Sequence, residues 1–203
     1  MRVVLVALPG SGKTTIMNYI REKLPDVKIV NFGDIMFELA KKKFGIQHRD
    51  EMRKRIPVEE YRRLQEEAAE YIASMPGDVI VDTHASIKIG GGYYPGLPDR
   101  VAAKLKPDAI VLIEYDPQEI IKRRAGDPTR ARDVESEEEV EMHQMANRYY
   151  AFAAASAAES VVHIINFRGR PQKRPFEHTE IAGEYVIKLI LGARGQTRQT
   201  SPS

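Results

Sequence analysis

The sequence predicts an α/β protein with a parallel sheet flanked by helices on both faces. Two observations favour it: five short apolar runs recur along the chain, and segments of helical periodicity lie between them. Such alternation gives parallel strands because each helix carries the chain back across the sheet. A third observation is the stretch ALPGSGKTT at residues 7–15, directly after the first run. It predicts a phosphate-binding turn at the carboxyl edge of the sheet, where ligands gather.

The apolar runs and the periodic segments give the expected elements in chain order. The predicted strands are Val3–Val6, Val27–Val30, Val79–Val81, Ile110–Ile113 and Val161–Ile165. The predicted helices are Thr15–Lys23, Asp34–Phe44, Val58–Ser74, Pro117–Arg124, Glu135–Ala158 and Thr179–Leu191. Asp34 is the expected N-cap of its helix, Ser136 and Glu139 have the spacing of a capping box, and Gly192 is an expected stop.

Composition limits the class of protein. A chain of 203 residues, 42% of them hydrophobic, predicts one domain with a proper core. We expect a soluble, intracellular protein with no membrane partner, because no apolar stretch approaches the roughly 18–20 residues of a membrane span. The 31 basic and 29 acidic residues balance to +2, which argues against a dedicated nucleic-acid binder. The absence of cysteine excludes disulfides and thiolate metal sites. The polar tail, residues 195–203, is expected to be disordered.

Residues 7–15 nearly fit the phosphate-binding pattern G-x-x-x-x-G-K-[ST], with Ala7 in place of the first glycine. We call this segment the P-loop. The turn would point successive backbone N–H groups at the phosphates of a nucleoside triphosphate. Lys13 would reach the β- and γ-phosphates, and the Thr14 hydroxyl would contact Mg²⁺. The alternative is a strand-to-helix turn that carries GSGK by chance.

Asp82 ends the apolar strand Val79–Val81, which places it beside the phosphate site. There it could hold Mg²⁺ through water, or it could simply cap a turn. His84 follows, and lining the site is favoured over direct proton transfer.

Arginines cluster at 123, 124, 130 and 132, and Asp133 follows them. Guanidinium groups suit the charge that spreads over a transferred phosphoryl group, although a solvated charged surface is the plain alternative. The segments at residues 48–57 and 125–133 could both be mobile covers over a site.

A second anion site is predicted where Phe32-Gly33-Asp34 opens a helix after the second strand. Arg49 and Arg53 would share one helix face that suits a second phosphate, unless they pair with Asp50 and Glu51 in solvent. The segment at residues 90–98 (GGGYYPGLP) is expected to be an irregular binding loop whose aromatic side chains contact a flat base. Two opposed phosphate sites suggest transfer between two bound nucleotides, with water excluded.

These stretches together resemble the archaeal-type adenylate kinases over about residues 1–192. The matching segments are ALPGSGKTT, NFGDIMFE, RDEMRK, VDTHA, GYYPGLP and RRAGDPTRARD. The resemblance implies reversible transfer of the γ-phosphoryl group of MgATP to AMP, giving two ADP. It also implies a single domain with a five-stranded parallel core, an AMP-binding insertion at about 31–60, a short lid at about 124–133 without zinc, and a homotrimer in the cytoplasm.

The resemblance also implies roles for individual residues. ATP would contact Ala7, Leu8, Pro9, Gly10, Ser11, Gly12, Lys13, Thr14, Thr15 and Arg123. AMP would contact Phe32, Gly33, Met36, Arg53, His84, Tyr94, Gly96 and Leu97. Catalysis would depend on Lys13, Arg124, Arg130 and Arg132, and Mg²⁺ would be held by Thr14 and Asp82. The ATP adenine would lie near residues 169–178.

Two other functions remain open. One is another small-molecule kinase with the same core, acting on UMP, CMP or a sugar acid. The other is a nucleotide-dependent switch associated with RNA, because a shared fold does not settle function.

Overall fold

The structure, a computed structural model, describes residues 1–126 and 135–199. Its strands are β1 (Arg2–Val6), β2 (Lys28–Asn31), β3 (Val79–Thr83), β4 (Ser86–Ile89), β5 (Gly92–Pro95), β6 (Ala109–Glu114) and β7 (Val161–Asn166). Its helices are α1 (Lys13–Lys23), α2 (Phe32–Phe44), α3 (Met52–Arg55), α4 (Val58–Ala73), α5 (Asp99–Leu105), α6 (Pro117–Ala125), α7 (Glu137–Ala158) and α8 (Glu177–Gln199). A 3₁₀ turn, Arg49–Glu51, precedes α3.

The expected five-stranded parallel sheet is present, with strand order β2-β3-β1-β6-β7. All four neighbouring pairs run parallel, and β1 lies at the centre between β3 and β6. Because these strands all end at one edge, the P-loop after β1 and Asp82 near the end of β3 are brought side by side.

Alternate residues of the central strands serve two separate cores. Val4 and Val6 of β1 pack with α2, α4, α5 and α7 on one face of the sheet. Val3 and Leu5 pack with α1, α6 and α8 on the other. Both cores exclude water almost completely, which explains why the strands have apolar residues at every position and not at alternate ones.

The helix starts show where the caps were predicted well and where they were not. The capping box of Ser136 and Glu139 is confirmed, and α7 begins at Glu137. The prediction of Asp34 as an N-cap is wrong, because α2 begins at Phe32. Asn31 is the cap, and its side chain accepts a hydrogen bond from the Asp34 N–H.

The C-terminal helix is longer than predicted. α8 runs to Gln199 and passes through Gly192, so that glycine is not a stop. The helix thus covers residues 195–199 of the tail that was expected to be disordered, and residues 200–203 lie outside the described part of the chain. Glycine lowers helix propensity by only about 1 kcal/mol, which packing of the earlier turns of α8 can offset.

The prediction of an irregular loop at residues 90–98 is wrong. This glycine-rich segment forms the turn and the second strand of a hairpin. β4 and β5 pair antiparallel as a separate two-stranded sheet, with Ile87 opposite Tyr94. Gly90 and Gly91 both have positive φ, of 54° and 83°, at the turn. These glycines therefore allow the tight connection that joins two regular strands. The sequence also gave no signal for the short helix α5 that follows.

The predicted insertion and lid differ in how much of them is described. Residues 31–60 contain α2, the 3₁₀ turn and α3, and reach the start of α4. Of the predicted lid, residues 127–134 lie outside the described part. Within residues 1–126 and 135–199, no helix is long and apolar enough to cross a membrane.

Candidate nucleotide-binding sites

The P-loop makes its turn with glycines in the left-handed region. Gly10 has φ 88° and Gly12 has φ 82°, and α1 begins immediately after, at Lys13. A side chain at these positions would strain the backbone, so the two glycines are needed for the turn itself. The turn leaves the positive end of α1 facing the carboxyl edge of the sheet, which favours an anion there.

Lys13 is the buried charge of this turn. Its Nζ lies 2.6 Å from Asp82 Oδ1 and donates to the Thr83 carbonyl at 2.6 Å. Burial lowers the pKa of the Lys13 ammonium, and the Asp82 carboxylate acts in the opposite direction. Asp82 Oδ2 in turn accepts from Asn31 Nδ2 at 2.8 Å. The lysine is thus held at the base of the loop by β3.

A large cavity of about 810 Å³ opens above the P-loop. Its lining includes every predicted ATP contact except Ala7, namely Leu8, Pro9, Gly10, Ser11, Gly12, Lys13, Thr14, Thr15 and Arg123. Ala7 is instead buried in the core with 1% of its surface exposed. The sequence did not single out four further lining residues, which are Gln172, Pro175, Phe176 and Thr179. They lie in or just after the segment 169–178 that the resemblance placed near the donor base.

Two adjacent arginines of α6 have different surroundings. Arg123 lines the large cavity, donates from Nη1 to the Ser11 carbonyl at 3.0 Å, and lies 4.2 Å from the Tyr115 ring centre. Arg124 faces away from that lining. Its Nε donates to the Pro9 carbonyl at 2.8 Å, and its guanidinium pairs with Glu135. Arg124 therefore contacts the P-loop backbone and not the cavity.

A small cavity of about 330 Å³ adjoins the first. Its lining includes the predicted AMP contacts Phe32, Gly33, Met36, Arg53, His84, Tyr94 and Gly96. The side chain of Leu97, also predicted, is 2% exposed and packs in the core, so it supports the wall from behind. Sequence reasoning missed residues from α4 and β4, which are Tyr61, Arg62, Gln65, Ile87 and Ile89. They belong to elements far apart in the chain, and no local motif marks them.

Arg49 and Arg53 both line the small cavity, as their spacing suggested. The solvent alternative, pairing with Asp50 and Glu51, is not what the structure has. Arg49 Nη1 bonds Asp34 Oδ1 at 2.9 Å, and Glu51 is 3.1 Å from Arg55. Arg49 is half-exposed, so its pair with Asp34 contributes little, and its guanidinium can turn to an anion in the cavity.

Four side chains line both cavities and form their shared boundary: Asn31, Arg49, Asp82 and His84. His84 is open to the cavities, yet the surrounding protein desolvates its ring. Desolvation, followed by the neighbouring Lys13 charge, lowers the pKa of His84 to about 4. The imidazole is therefore neutral at physiological pH, and it supplies polar atoms to the boundary without adding charge.

The oxygen atoms at this boundary fit a magnesium ion. Asp82 Oδ1 is buried, and the Lys13 ammonium lies 2.6 Å from it. Thr14 lines the large cavity beside it. Carboxylate and hydroxyl oxygens are ligands that Mg²⁺ accepts, usually together with water and substrate phosphates. Among residues 1–126 and 135–199, no group of three or more His, Asp or Glu side chains forms a preassembled metal site.

Arg130 and Arg132 lie outside the described residues, together with Asp133. The structure therefore does not test their predicted contacts with phosphate.

The fold and the two adjoining cavities define a P-loop kinase of small molecules. Residues 6–141 match the family model of an AAA domain. Shikimate kinase from Bacteroides thetaiotaomicron has a similar fold, with TM-score 0.57 and 15% identity over 94% of this chain and 98% of that one. A gluconokinase from Sinorhizobium meliloti gives TM-score 0.54 and 13% identity over 98% and 97%. At such low sequence identities, these two structures support the assignment of the fold alone.

Curated relatives identify the family within that class. The chain is 72% identical to an adenylate kinase of Pyrobaculum aerophilum, over 99% of this chain and all of the relative. It is 45% identical to an adenylate kinase of Thermoplasma acidophilum over 94% and 98%. It is also 45% identical to one of Methanocaldococcus jannaschii over 82% and 89%. The chain belongs to the adenylate kinase family.

Proposed function

We propose that this protein transfers the γ-phosphoryl group of MgATP to AMP, reversibly, with two molecules of ADP as the product. The observation that carries the proposal is the pair of adjoining cavities, which share Asn31, Arg49, Asp82 and His84 as a boundary. One cavity holds a P-loop, and the other is lined by arginines and apolar side chains. Two nucleotides bound in them would meet phosphate to phosphate.

The large cavity suits the donor nucleotide. The P-loop amides and the N-terminus of α1 would hold the β- and γ-phosphates, and Lys13 would neutralise charge on the transferred group. Arg123 reaches the same cavity from α6. The donor base would lie toward Gln172, Pro175 and Phe176, at the other end of the lining.

The small cavity suits AMP. Phe32, Met36 and Ile87 give it an apolar wall for a flat base, and Tyr61 and Tyr94 add aromatic surface. Arg49 and Arg53 would bind its phosphate, and Arg49 stands at the boundary with the donor. The α-phosphate of AMP would then point at the γ-phosphate of ATP.

The chemistry requires no covalent nucleophile on the protein. An ionised oxygen of AMP attacks the γ-phosphorus, a new P–O bond forms, and the bond from the γ-phosphorus to the bridging β–γ oxygen breaks, which releases ADP. Positioning and electrostatic stabilisation are enough for such a step. His84 is not needed as a base, because the attacking oxygen already carries its charge.

The metal and the remaining arginines complete the proposal. Thr14 and Asp82, the latter through water, would hold the Mg²⁺ that accompanies ATP, and the ion would offset negative charge on the phosphates. Arg130 and Arg132 are proposed to contact the transferred phosphoryl group. Arg124 is proposed to serve catalysis through the Pro9 carbonyl, since its described contacts are with the P-loop and Glu135.

We further propose a homotrimer in the cytoplasm, as the family resemblance implied. Exposed apolar side chains spaced along one face of α7 support association with other copies: Met142, Met145, Tyr149 and Phe152. Light scattering on a size-exclusion column should give three times the mass of the chain, and the mass of one chain would contradict the trimer.

A screen of acceptors tests the function. Purified protein is mixed with MgATP and one acceptor at a time, AMP, CMP, UMP or gluconate, and ADP formation is followed. AMP should give the highest kcat/KM by at least tenfold, because the small cavity carries aromatic side chains for a base and arginines for a phosphate. Preference for gluconate would support the sugar-acid alternative. Slow hydrolysis of ATP, unaffected by any acceptor, would support a switch protein.

A further inference from the structure

A chain of ion pairs runs behind the two cavities, from β4 to the P-loop. Lys88 Nζ lies 2.8 Å from Glu135 and 3.1 Å from Glu139. Glu135 also pairs with Arg124, whose Nε donates to the Pro9 carbonyl at 2.8 Å. Lys88, Glu135 and Arg124 line neither cavity. They therefore join a wall of the small cavity to the loop of the large one without themselves lining either cavity.

Lys88 is placed to hold that wall from its outer side. Successive side chains of a strand point to opposite faces, and Ile87 and Ile89 both line the small cavity. Lys88, between them, points the other way, to the residues at the start of α7. It thus fixes the strand that carries two apolar contacts for the acceptor nucleotide.

The β4–β5 hairpin depends on such contacts for its position. It is not hydrogen-bonded into the five-stranded sheet, and a two-stranded hairpin is at best marginally stable alone. Asn147 Oδ1 accepts from the Ser86 N–H at 3.2 Å, and the Tyr150 hydroxyl donates to the Tyr93 carbonyl at 2.9 Å. These bonds attach it to the middle of α7, and Lys88 attaches the far end of β4 to the first turn.

Lys88 and its two carboxylate partners, Glu135 and Glu139, are charged around neutral pH. The hydrogen bonds that Lys88 donates to Glu135 and Glu139 raise the pKa of Lys88 to about 12. Burial alone would raise the pKa of Glu135, but Lys88 and Arg124 outweigh it and hold the pKa below its usual value. Hydrogen bonds between charged partners are shorter and stronger than neutral ones, and Glu135 and Arg124 are only 15% and 11% exposed.

We propose that Lys88 is a positioning residue for phosphoryl transfer, which fixes the small-cavity wall relative to the P-loop and so sets the separation of the two nucleotides. This role rests on the proposed function. Each cavity keeps its own lining without Lys88, so either nucleotide alone should still bind. The joint geometry is what changes, and a misplacement of about 1 Å can slow such a reaction roughly a hundredfold.

The test compares Lys88→Met, which removes the charge and keeps the apolar stem, with Lys88→Arg, which can still bridge two carboxylates. The rate of ADP formation in a single turnover, followed by rapid quench, should fall about tenfold in Lys88→Met. Its dissociation constants for ATP alone and AMP alone, from calorimetry, should stay within about twofold of wild type. Lys88→Arg should recover most of the rate. Thermal unfolding shows that each variant is folded.

Lys104→Met is the matched control. Lys104 also bridges two carboxylates, Glu66 at 3.1 Å and Glu70 at 2.5 Å, yet it lines neither cavity and does not lie in the hairpin. It should keep the wild-type rate. The positioning role is overturned if Lys88→Met turns over as fast as the control, loses AMP affinity in step with rate, or is not improved upon by Lys88→Arg. Wild-type protein that forms no ADP would refute the proposed function itself.

Discussion

Lys13 is a buried, charged residue that also has a central role in the proposed phosphoryl transfer. Its ammonium is almost enclosed, is held by Asp82 and Thr83, and has a pKa lowered by burial. An enclosed cation interacts more strongly with a phosphate than an exposed one, because less water screens the pair. The residue therefore combines a structural contact with β3 and a functional contact with the donor.

Lys13→Ala should retain the fold and lose at least about a hundredfold in kcat, since it removes a positive charge from the transferred group. The steady-state rate of ADP formation measures the loss, and circular dichroism checks the fold. Lys23→Ala, at the exposed end of the same helix, is the control and should be close to wild type. Equal activity in Lys13→Ala and Lys23→Ala would remove Lys13 from the mechanism.

His84, at the boundary of the two cavities, makes the free energy of unfolding depend on pH. Its pKa is about 4 in the folded protein, against 6.5 for the free side chain. As pH falls below about 6.5, His84 becomes protonated in the unfolded chain, whereas in the folded chain it stays neutral until the pH is near 4. The unfolded state is therefore favoured increasingly across that window, and above it His84 has no such effect.

His84→Gln should accordingly lose less stability than wild type when pH is lowered from about 7 to about 5. Urea unfolding at several pH values gives the free energy of unfolding for both proteins. Parallel pH dependence in the two would show that His84 ionises as freely in the folded state as in the unfolded one.

At the scale of elements, the two arms of the β4–β5 hairpin approach closely at its open end, where the Gly96 N–H donates to the Ala85 carbonyl at 2.8 Å. A Cβ at Gly96 would lie 2.1 Å from the His84 carbonyl oxygen, which is backbone and cannot swing aside. A Cβ at Gly92, in the same hairpin, would lie 3.7 Å from the Ile89 oxygen, an ordinary contact. The two glycines therefore differ sharply in what they tolerate.

Gly96→Ala should force the two arms of the hairpin apart at their open end, with a loss of about 2 kcal/mol in stability and a rise of tenfold or more in the AMP dissociation constant. Gly92→Ala should change either quantity far less. Denaturant unfolding and calorimetry with AMP measure both. Tight AMP binding in Gly96→Ala would mean that this approach of backbone to backbone does not shape the small cavity.

The capping box of α7 matters because this helix carries Glu139 and the anchors of the hairpin. Ser136 accepts from the Glu139 N–H, and the Glu139 side chain accepts from the Ser136 N–H. Ser136→Ala should reduce stability by about 1 kcal/mol, since a helix donor loses its partner. Ser156→Ala, at an exposed position of the same helix, should be neutral or slightly stabilising. A Ser136→Ala midpoint equal to wild type in urea would contradict the role of the cap.

At the scale of the whole molecule, the lining of the proposed donor site could be predicted from sequence more completely than the lining of the proposed acceptor site. The P-loop is contiguous, so strand, turn and lysine are visible in one window, and all but Ala7 line the large cavity. The small cavity draws Tyr61 and Gln65 from α4 and Ile87 from β4, which only the folded chain brings together. Leu97 was misjudged because a motif shows which residue is present and not which way its side chain points.

The arginines show the same limit. Arg123 and Arg124 are neighbours in one cluster, for which the sequence predicts contacts with a transferred phosphoryl group. The helix directs Arg123 to the large cavity and Arg124 to Pro9 and Glu135. Consecutive helix residues point about a quarter turn apart, so proximity in sequence does not imply a common target.

The central claim is that two nucleotides occupy adjoining cavities at once and exchange a phosphoryl group directly. The most direct measurement follows ATP labelled with radioactive phosphorus at the γ position through a single turnover with AMP. The label should appear in the β-phosphate of ADP, with almost none in inorganic phosphate, because transfer occurs between the bound nucleotides. Label recovered chiefly as inorganic phosphate, at a rate independent of AMP, would contradict the account.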